Sequence, residues 1–308
     1  MQQTIPLHSA IPGVTDADIA RVFDPCVVEE FAADSPTWWK ALRDVDAKLE
    51  RRTPTWDHWL NADGQRTSAL VQRQYDGKWS RVDFEAELRG SRLGWFEWGD
   101  RRMRARTVGY KKVFQLWLAR VIDWLKPSSV VEIGFGWGMH LLALAVQFPE
   151  IRFRGVELTA SGVLTARALA LDPATPRLLE DFVVDPLRDG GAAARLDLCQ
   201  GSAEALPLPD KSVDMVMTVL ALEQMEQIRD KALRELARVA RRHVVMIEPF
   251  RDWNSQPRHR EYIRQLDYWT AAIEELPAYG LIPVAATADV PQKLTSHAGI
   301  VVTDVERG

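Results

Sequence analysis

Residues 130–138 read VVEIGFGWG and hold the feature that decides the fold of this chain. The apolar run at the start is typical of a buried strand, and it breaks into three glycines at alternate positions, Gly134, Gly136 and Gly138. Glycine admits positive φ in a tight turn and lets a ligand approach the backbone closely. The apolar segment from residue 139 to about residue 148 predicts a helix, whose free N–H groups and positive dipole end face the loop. The pattern therefore predicts a strand, a loop and a helix that bind a nucleotide-like molecule.

The spacing of the glycines argues against two common nucleotide-binding motifs. A dinucleotide-binding loop has the form Gly-x-Gly-x-x-Gly, whereas here the third glycine comes one residue early and Met139 stands at the expected position. A phosphate-binding P-loop needs a Gly-Lys-Ser/Thr triplet, and the sequence contains none. The glycines alone do not identify the ligand, so the interpretation depends on the segments that follow them.

A second predicted strand lies at residues 152–157 and ends in an acid, Glu157. A carboxylate at this position can accept hydrogen bonds from both hydroxyls of a ribose. Residues 196–200 predict a third strand, which runs into the segment GSAEALPLPD at residues 201–210. Alternation of strands with helices is typical of a mainly parallel sheet that is covered on both faces.

Two further predicted strands complete the pattern. Residues 214–219 predict a fourth strand, and the stretch LEQM follows it at residues 222–225. Residues 243–247 predict a fifth strand, which is closed by Glu248. Because ligands of open parallel sheets bind beyond the carboxyl ends of the strands, we expect the ligand beside the glycines and the end of the fourth strand.

These motifs, in this order, resemble those of the class I S-adenosylmethionine-dependent methyltransferases. The form Glu-x-Gly-x-Gly-x-Gly at residues 132–138 is similar to the first motif of that family. Residues 201–210 are similar to the Gly-Asp-Ala-x-x-Leu-Pro-x-x-Asp pattern that holds the adenine, and residues 222–225 to a Leu-Glu-His-hydrophobic stretch. The resemblance covers residues 104–250 closely and the remainder of the carboxyl-terminal part loosely, and it does not extend to the first hundred residues.

The resemblance implies both the fold and the cofactor. The implied fold is an α/β, Rossmann-like seven-stranded mainly parallel sheet with helices on both faces and the last strand antiparallel, and the implied cofactor is S-adenosyl-L-methionine. The implied cofactor-binding residues are Glu132, Gly134, Gly136, Gly138, Glu157, Leu158, Ser202, Ala203, Glu204 and Thr218. Two positions depart from the family pattern, since Ser202 replaces a common aspartate and Gln224 a common histidine. A serine can still accept a hydrogen bond from the adenine amino group, but without the assistance of a charge.

Length and composition describe an ordinary globular protein. The chain has 308 residues, of which 46% are hydrophobic and 27% charged. The net charge of −4 gives no electrostatic reason to expect a nucleic-acid partner. The two cysteines lie far apart and the six histidines show no ligand spacing, so we expect no metal site. No signal peptide or long apolar stretch is apparent, and we therefore expect a cytoplasmic protein without a membrane partner.

We expect two regions along the chain. Residues 1–105 predict a mostly helical, tryptophan-rich cap that binds the acceptor, and residues 106–308 the cofactor-binding domain. Apolar residues at helical spacing predict helices over residues 104–125, 230–240 and 261–278. We expect the final strands over residues 281–286 and 299–303. Residues 171–194 are predicted to form an inserted loop with a short helix near residues 178–182. We assign this inserted loop a structural or oligomer-forming role.

The first hundred residues carry seven of the twelve tryptophans. One interpretation is an aromatic lid that packs on an organic acceptor and stabilises positive charge by cation–π contacts. The other is that Trp38, Trp39, Trp56 and Trp59 form the core of the cap. We predict acceptor contacts for Trp95 and Trp98, because glycines flank this short aromatic segment and such a loop suits a lid.

Two groups of arginines have different interpretations. The basic run at residues 101–106 lies on or before an amphipathic helix, so we interpret it as a solvated helix face rather than an RNA-binding surface. Arg251 and Arg258 follow the fifth strand, where loops face the acceptor. We predict that one of them holds a carboxylate of the acceptor through two hydrogen bonds.

Acid–base chemistry has several candidates near the ends of the fourth and fifth strands. We select Glu223, Glu248 and Tyr268 as catalytic candidates, with Asp252, His259 and Asp267 also within the same segments. Glu248 can equally be a buried structural acid that binds backbone amides. We expect His140, at the start of the helix after the glycines, beside the carboxylate of the cofactor.

The sequence therefore predicts an enzyme that transfers a methyl group from S-adenosylmethionine to a small-molecule metabolite. We favour an amine or thioether that bears a carboxylate. The alternatives are O- or C-methylation of a hydrophobic small molecule, a non-catalytic binding subunit of the same fold, an aminopropyl transferase and an RNA methyltransferase. The sequence leaves the formation of a homodimer open.

Overall fold

The computed structural model describes residues 11–50 and 60–306, so Trp56 and Trp59 lie outside the described residues. In chain order, the strands are β1 (Val27–Phe31), β2 (Leu93–Trp98), β3 (Arg101–Arg106), β4 (Ser129–Ile133), β5 (Arg152–Glu157), β6 (Asp197–Gln200), β7 (Val213–Val219), β8 (Ala240–Glu248), β9 (Leu281–Thr287), β10 (Gln292–Lys293) and β11 (Gly299–Val305). The α-helices are α1 (Asp16–Phe23), α2 (Pro36–Glu50), α3 (Ser68–Trp79), α4 (Phe84–Arg89), α5 (Val108–Leu125), α6 (Met139–Gln147), α7 (Ala160–Leu171), α8 (Thr175–Glu180), α9 (Arg229–Val239) and α10 (Pro257–Gln265).

The central sheet has seven strands in the order β6-β5-β4-β7-β8-β11-β9. The pairs from β6 to β8 are parallel, and β11 runs antiparallel to both β8 and β9. All residues of β4 are buried, as expected for a strand covered on both faces. The predicted Rossmann-like sheet is thus confirmed. Its switch point lies between β4 and β7, where the order of the strands reverses along the chain.

The amino-terminal part forms a second, antiparallel sheet that the sequence did not predict. Its order is β1-β3-β2-β10, so the two-residue strand β10 from the carboxyl-terminal part completes it. The basic run at residues 101–106 is strand β3 rather than the start of a helix, because Met103 and Ala105 are buried while Arg104 and Arg106 are exposed. This alternation has the period of a strand.

The aromatic segment expected as a lid loop is also a strand. Trp95 and Trp98 belong to β2, which pairs along its length with β3. The glycines that suggested a loop have other roles. Gly94 lies against the Phe96 ring, where an added Cβ would meet a ring carbon at 2.9 Å. Gly99 occupies the turn between the two strands with a φ of 53°. The amino-terminal region is therefore a mixed layer of helices and strands.

Two further predictions of elements need correction. The helix expected over residues 261–278 ends at Gln265, and the chain continues into a 3₁₀ helix over Ile273–Tyr279 that contains Pro277. A proline in this position cannot donate the hydrogen bond of a longer α-helix. In the inserted loop, the short helix is α8, which begins three residues before the predicted start because Pro176 favours its first turn.

The amino-terminal elements share a hydrophobic core with the central sheet. One cluster of buried side chains contains Phe23 of α1, Phe96 of β2, Phe114 of α5 and Ile300 of β11. Elements on both sides of residue 105 therefore depend on the same packing. Across residues 11–50 and 60–306, none of the helices combines the length and apolar character that crossing a membrane requires.

Candidate active site

A cavity of about 640 Å³ opens beyond the carboxyl ends of β4, β5 and β7. The glycine loop after β4 forms its floor, and α3, α4 and α5 of the preceding region enclose the other side. A smaller cavity of about 80 Å³, which we call the side chamber, adjoins it. Leu220, Glu223 and Lys293 line both cavities, so the two form one continuous site.

The three glycines of the loop adopt positive φ angles of 74°, 59° and 86° at Gly134, Gly136 and Gly138. Side chains would also collide there. A Cβ on Gly134 would lie 2.6 Å from the Cβ of Ala221, and one on Gly136 would lie 3.0 Å from the Trp79 ring. Gly134 and Gly136 line the cavity, whereas Gly138 begins α6 from below the loop. The loop therefore exposes backbone where a ligand must approach closely.

Glu157 is fixed at the end of β5 by the glycine loop and by its own turn. One carboxylate oxygen accepts the N–H of Gly136 at 2.9 Å, and the other accepts the N–H and hydroxyl of Thr159 at 3.0 and 2.7 Å. Burial raises the pKa of Glu157, although these hydrogen bonds act to lower it. The carboxyl group lines the cavity, and each of its oxygens can accept more than one hydrogen bond.

Glu132 at the end of β4 is a buried carboxyl group without a complete set of partners. It is 3% exposed and lines the cavity, and within residues 11–50 and 60–306 its Oε2 atom has no hydrogen-bond partner. Burial, together with the nearby Glu157, raises the pKa of Glu132 to about 8. A buried polar atom without a partner is costly, so Glu132 is suited to a ligand group that donates a hydrogen bond.

The other predicted cofactor residues divide into two groups. Leu158, Ser202 and Ala203 line the cavity. Glu204 lies outside it, where its carboxylate accepts the Ser68 hydroxyl at 3.1 Å, and Thr218 is fully buried within β7. Glu204 thus joins the segment after β6 to the start of α3 rather than facing the cavity.

Helix α3 provides a wall of the cavity that the sequence did not reveal. Its residues Tyr75, Lys78 and Trp79 line the cavity. The Lys78 Nζ atom lies 4.9 and 4.4 Å from the centroids of the Tyr75 and Trp79 rings, which is cation–π geometry. Burial lowers the pKa of Lys78 to about 8. The sequence did show a lysine between two aromatic residues in this segment, but nothing in the sequence placed this helix over the glycine loop.

Hydrogen bonds hold α3 against the cofactor-binding loops. Asp76 accepts the N–H and hydroxyl of Ser161, at the start of α7, at 3.1 and 2.8 Å. Gln72 donates to the carbonyl of Leu158 at 3.4 Å. These contacts fix the helix across the opening between β4 and β5.

The side chamber is lined by Tyr110 of α5, Glu223 after β7, Tyr268 and Lys293 of β10, among others. Glu223 accepts a hydrogen bond from the Gln224 amide at 2.8 Å. Lys293 Nζ lies 4.7 Å from the centroid of the Tyr110 ring. Burial raises the pKa of Glu223 and lowers that of Lys293. Of these residues, the sequence singled out Glu223 and Tyr268, and it missed Lys293 because a lysine in a two-residue strand carries no motif.

Glu248 is fully buried behind the site and lines neither cavity. Its carboxylate accepts the backbone N–H groups of Ala221 and Leu222 at 3.0 Å each, and that of Glu223 at 3.2 Å. This geometry matches the structural alternative for Glu248, which is an acid that holds the loop after β7. His140 lines the cavity, but its Nδ1 atom is bonded to the Gln115 amide oxygen at 2.9 Å, and burial lowers its pKa to about 3.

The four predicted acceptor-binding residues lie away from both cavities. The Trp95 ring packs against Phe31, with centroids 5.3 Å apart, and the Trp98 indole donates to Asp289 at 2.7 Å. Arg258 is paired with Asp46 at 2.6 Å. Arg251 lies on the surface, next to Glu274 and Glu275 at 3.4 and 3.2 Å. The prediction placed these side chains on the acceptor, whereas the structure uses them in packing and in ion pairs.

Comparison with known proteins identifies the central part of the chain. Residues 131–247 match the methyltransferase domain family. A malonyl-[acyl-carrier protein] O-methyltransferase from Methylococcus capsulatus is 33% identical over 115 residues, which are 37% of this chain and 34% of that protein. The chain thus spans only about a third of the length of this curated relative.

A solved structure shows the same fold. The [4+2]-cyclase SpnF aligns with a TM-score of 0.53 and 16% identity, over 79% of this chain and 97% of that one. A methyltransferase from Methanosarcina mazei aligns with a TM-score of 0.44 and 12% identity, over 58% of this chain and 93% of that one. The domain match, the curated relative and the fold of SpnF confirm the resemblance, and the domain match implies its cofactor. Residues 131–247 form a methyltransferase domain of the class I S-adenosylmethionine-dependent family, with S-adenosylmethionine as its cofactor.

Proposed function

We propose that this protein transfers a methyl group from S-adenosylmethionine to a small-molecule acceptor, and that the acceptor enters from the side chamber. The observation that carries the proposal is the glycine loop with two buried carboxyl groups, Glu132 and Glu157, at the ends of neighbouring strands. The loop exposes its backbone, Glu157 lines the cavity, and Glu132 has an oxygen without a partner among the described residues.

The residues of the large cavity fit the groups of the cofactor. Glu157 is suited to the ribose hydroxyls, and the free oxygen of Glu132 to the ammonium group. Lys78 can pair with the carboxylate, since it lines the cavity and belongs to none of the ion pairs among the described residues. Ser202 and Ala203 line the part of the cavity next to β6, where the family holds the adenine. The bound cofactor supplies an electrophilic methyl group on a sulfonium.

The protein contributes position, exclusion of water and proton transfer. Helices α3, α4 and α5 enclose the cavity opposite the glycine loop, which restricts the acceptor to one approach. Glu223 lines both cavities and has a raised pKa. It is therefore placed to accept a proton from an acceptor that loses one on methylation. Glu248 supports this role indirectly, because it holds the backbone of Glu223.

An amine or thioether with a carboxylate remains the acceptor class that we favour. The side chamber supports a small acceptor, because its volume is only about 80 Å³. O-methylation is the second candidate, which the name of the relative from Methylococcus capsulatus supports.

Calorimetric titration with S-adenosylmethionine and S-adenosylhomocysteine tests the cofactor site. We expect Glu157→Gln to weaken both affinities by roughly tenfold or more, because a hydrogen bond to a charged group is lost. Glu150→Gln is the matched control, since Glu150 is an exposed carboxylate whose partner is Arg188. Absence of binding to the wild-type protein, or equal affinities in the two variants, would overturn the assignment.

A further inference from the structure

Lys293 lies at the junction of the two cavities, and no carboxylate among the described residues forms an ion pair with it. It lines both of them, and within residues 11–50 and 60–306 it takes part in no hydrogen bond or ion pair through its Nζ atom. Its Nζ atom lies over the Tyr110 ring, 4.7 Å from the ring centroid. Strand β10 holds its backbone, because Lys293 pairs with Phe96 of β2. The pairing of β10 with β2 therefore fixes the backbone position of Lys293.

Glu223 is the nearest source of negative charge on the chamber wall, but it forms no direct ion pair with Lys293. Its carboxylate accepts a hydrogen bond from Gln224 at 2.8 Å. Both residues line the chamber, and the charge of each favours the ionised form of the other. A lysine and a carboxylate that face one space without touching can bind the two ends of a polar ligand.

The groups of the cofactor account for other residues of the site. Glu157, Glu132 and Lys78 match its ribose, ammonium and carboxylate, and all three lie on the large cavity and not on the side chamber. Among the described residues, Lys293 and Glu223 are the charged side chains that line both cavities, and we assign them to the acceptor. Burying an ammonium group without a partner is unfavourable, so the chamber is electrostatically complementary to an anion.

The composition of the chamber narrows the kind of anion. Among the described residues that line it, Lys293 is the only cation, and Tyr110, Tyr262, Tyr268, Thr295 and Ser296 add hydroxyl groups. One cation suits a singly charged group better than a phosphate dianion, for which proteins provide several donors or arginines. The volume of about 80 Å³ exceeds the roughly 30 Å³ of one water molecule and takes a carboxylate with a short carbon chain.

We propose that the side chamber is an acid-binding subsite, in which Lys293 pairs with a carboxylate of the methyl acceptor and Glu223 faces a hydrogen-bond donor of the same molecule. The acceptor is then a small organic acid with an amino, hydroxyl or thiol group a few bonds away, which favours the amine over the thioether because a thioether donates no hydrogen bond. This assignment rests on the proposed function. It replaces the arginine clamp that the sequence suggested, since Arg251 and Arg258 are paired with acids elsewhere.

Ligand-observed NMR titrations with propionate and propionamide test the subsite, using the full chain saturated with S-adenosylhomocysteine. The two probes have nearly the same shape and differ in charge. We expect the wild-type protein to bind propionate roughly tenfold more tightly than propionamide or better, because a hydrogen bond to a charged group is formed. Lys293→Met should abolish this preference, because the ammonium group that pairs with the carboxylate is removed.

Lys112→Met is the matched control, since Lys112 lies on α5 beside Lys111 but lines neither cavity. It should keep the preference for propionate. Equal binding of the two probes by the wild-type protein overturns the subsite without reference to any variant. An unchanged preference in Lys293→Met, or the same loss in Lys112→Met, also overturns it.

The affinity for S-adenosylhomocysteine separates this inference from the proposed function. It should change by less than about twofold in Lys293→Met, since Lys293 is not matched to a group of the cofactor. If the wild-type protein binds no S-adenosylhomocysteine, the proposed function fails. The titrations with propionate are then repeated without S-adenosylhomocysteine, because the pairing of β10 with β2 holds Lys293 in the chamber. A preference for propionate that disappears in Lys293→Met would show that the subsite exists independently.

Discussion

Single buried carboxyl groups determine the shape of the site, and Glu248 shows this most directly. Its two oxygens accept three backbone N–H groups, from Ala221, Leu222 and Glu223. Replacing one oxygen by an amide nitrogen in Glu248→Gln leaves at least one of these buried N–H groups without an acceptor. We therefore expect the free energy of unfolding to fall by about 1–3 kcal/mol, measured by urea denaturation.

Glu150→Gln is again the control for the loss of a carboxylate, because Glu150 is on the surface, and surface pairs contribute about 0–1 kcal/mol. A similar loss of stability in both variants would show that the three hydrogen bonds of Glu248 do not matter. Loss of stability in Glu248→Gln alone supports its function as a support for the loop that carries Glu223.

Glu132 should make the stability of the protein depend on pH. Its pKa is about 8 in the folded protein, against 4.5 for the ordinary group. Between these values the unfolded chain is ionised while the folded protein keeps the proton, so this stabilising contribution is complete below pH 4.5 and is lost as the pH rises through 8. Glu132→Gln does not titrate, and its stability relative to the wild type should rise by roughly 1 kcal/mol or more from pH 5 to pH 8.

Thermal or urea unfolding of both proteins at the two pH values provides this comparison. Changes in titrating groups that do not interact with Glu132 cancel when the variant is compared with the wild type at the same pH, and the coupled group Glu157 adds to the difference. If the difference in stability between the two proteins is the same at pH 5 and pH 8, the raised pKa of Glu132 is wrong.

The sequence predicted the residues that belong to a local motif and missed those brought together by distant packing. Gly134, Gly136 and Glu157 follow directly on their strands, so their place in the cavity could be expected from the order of the motifs. Lys78 and Lys293 reach the same cavity from α3 and β10, and no spacing in the sequence relates them to the glycines. The prediction for Trp95 relied on a misleading local signal, since its glycine neighbours indicated a loop although the segment pairs as a strand.

At the scale of elements, α3 forms one wall of the large cavity, in which we propose that the cofactor binds. It crosses the large cavity and is fixed by the hydrogen bonds of Asp76 to Ser161 on α7. We expect Asp76→Ala to loosen this attachment and to increase the rate at which S-adenosylhomocysteine dissociates by roughly tenfold, since two hydrogen bonds are lost. Stopped-flow displacement by excess S-adenosylmethionine measures this rate.

Asp172→Ala provides the matched control at the opposite end of α7. Asp172 accepts the N–H of Ala174 at 2.8 Å on the exposed side of the helix. The dissociation rate in this variant should equal that of the wild type. Equal rates in Asp76→Ala and the wild type would mean that α3 does not retain the ligand.

The second sheet shows why elements with long-range partners escape prediction. Strand β10 has two residues and exists because β2 lies beside it. Strand β3 is rich in arginine, and its buried positions, Met103 and Ala105, become recognisable only against the neighbouring strands. By contrast, β4, β7 and the second half of β8 have apolar sequences that indicate buried strands without reference to partners. Local patterns thus predicted the central sheet, and tertiary contacts determined the rest.

For the whole molecule, the structure joins the region before residue 105 to the region after it. The strand β10 completes the amino-terminal sheet, Arg258 pairs with Asp46, and Asp267 accepts the N–H of Arg66 at 2.7 Å. The core cluster contains side chains from both regions. The predicted division at residue 105 therefore separates two parts of the sequence that contact each other extensively in the structure.

We expect the full chain to unfold in one cooperative transition, because the core cluster that contains Phe23, Phe96, Phe114 and Ile300 takes side chains from both regions. Urea denaturation is followed by far-ultraviolet circular dichroism, which reports all helices, and by tryptophan fluorescence, which is weighted toward the amino-terminal region with seven of the twelve tryptophans. Coincident midpoints support one cooperative unit. A second, separate midpoint in the fluorescence would mean that the amino-terminal region unfolds alone. In that case the shared core is too weak to couple the walls of the cavity formed by α3 and β10 to the cofactor-binding sheet.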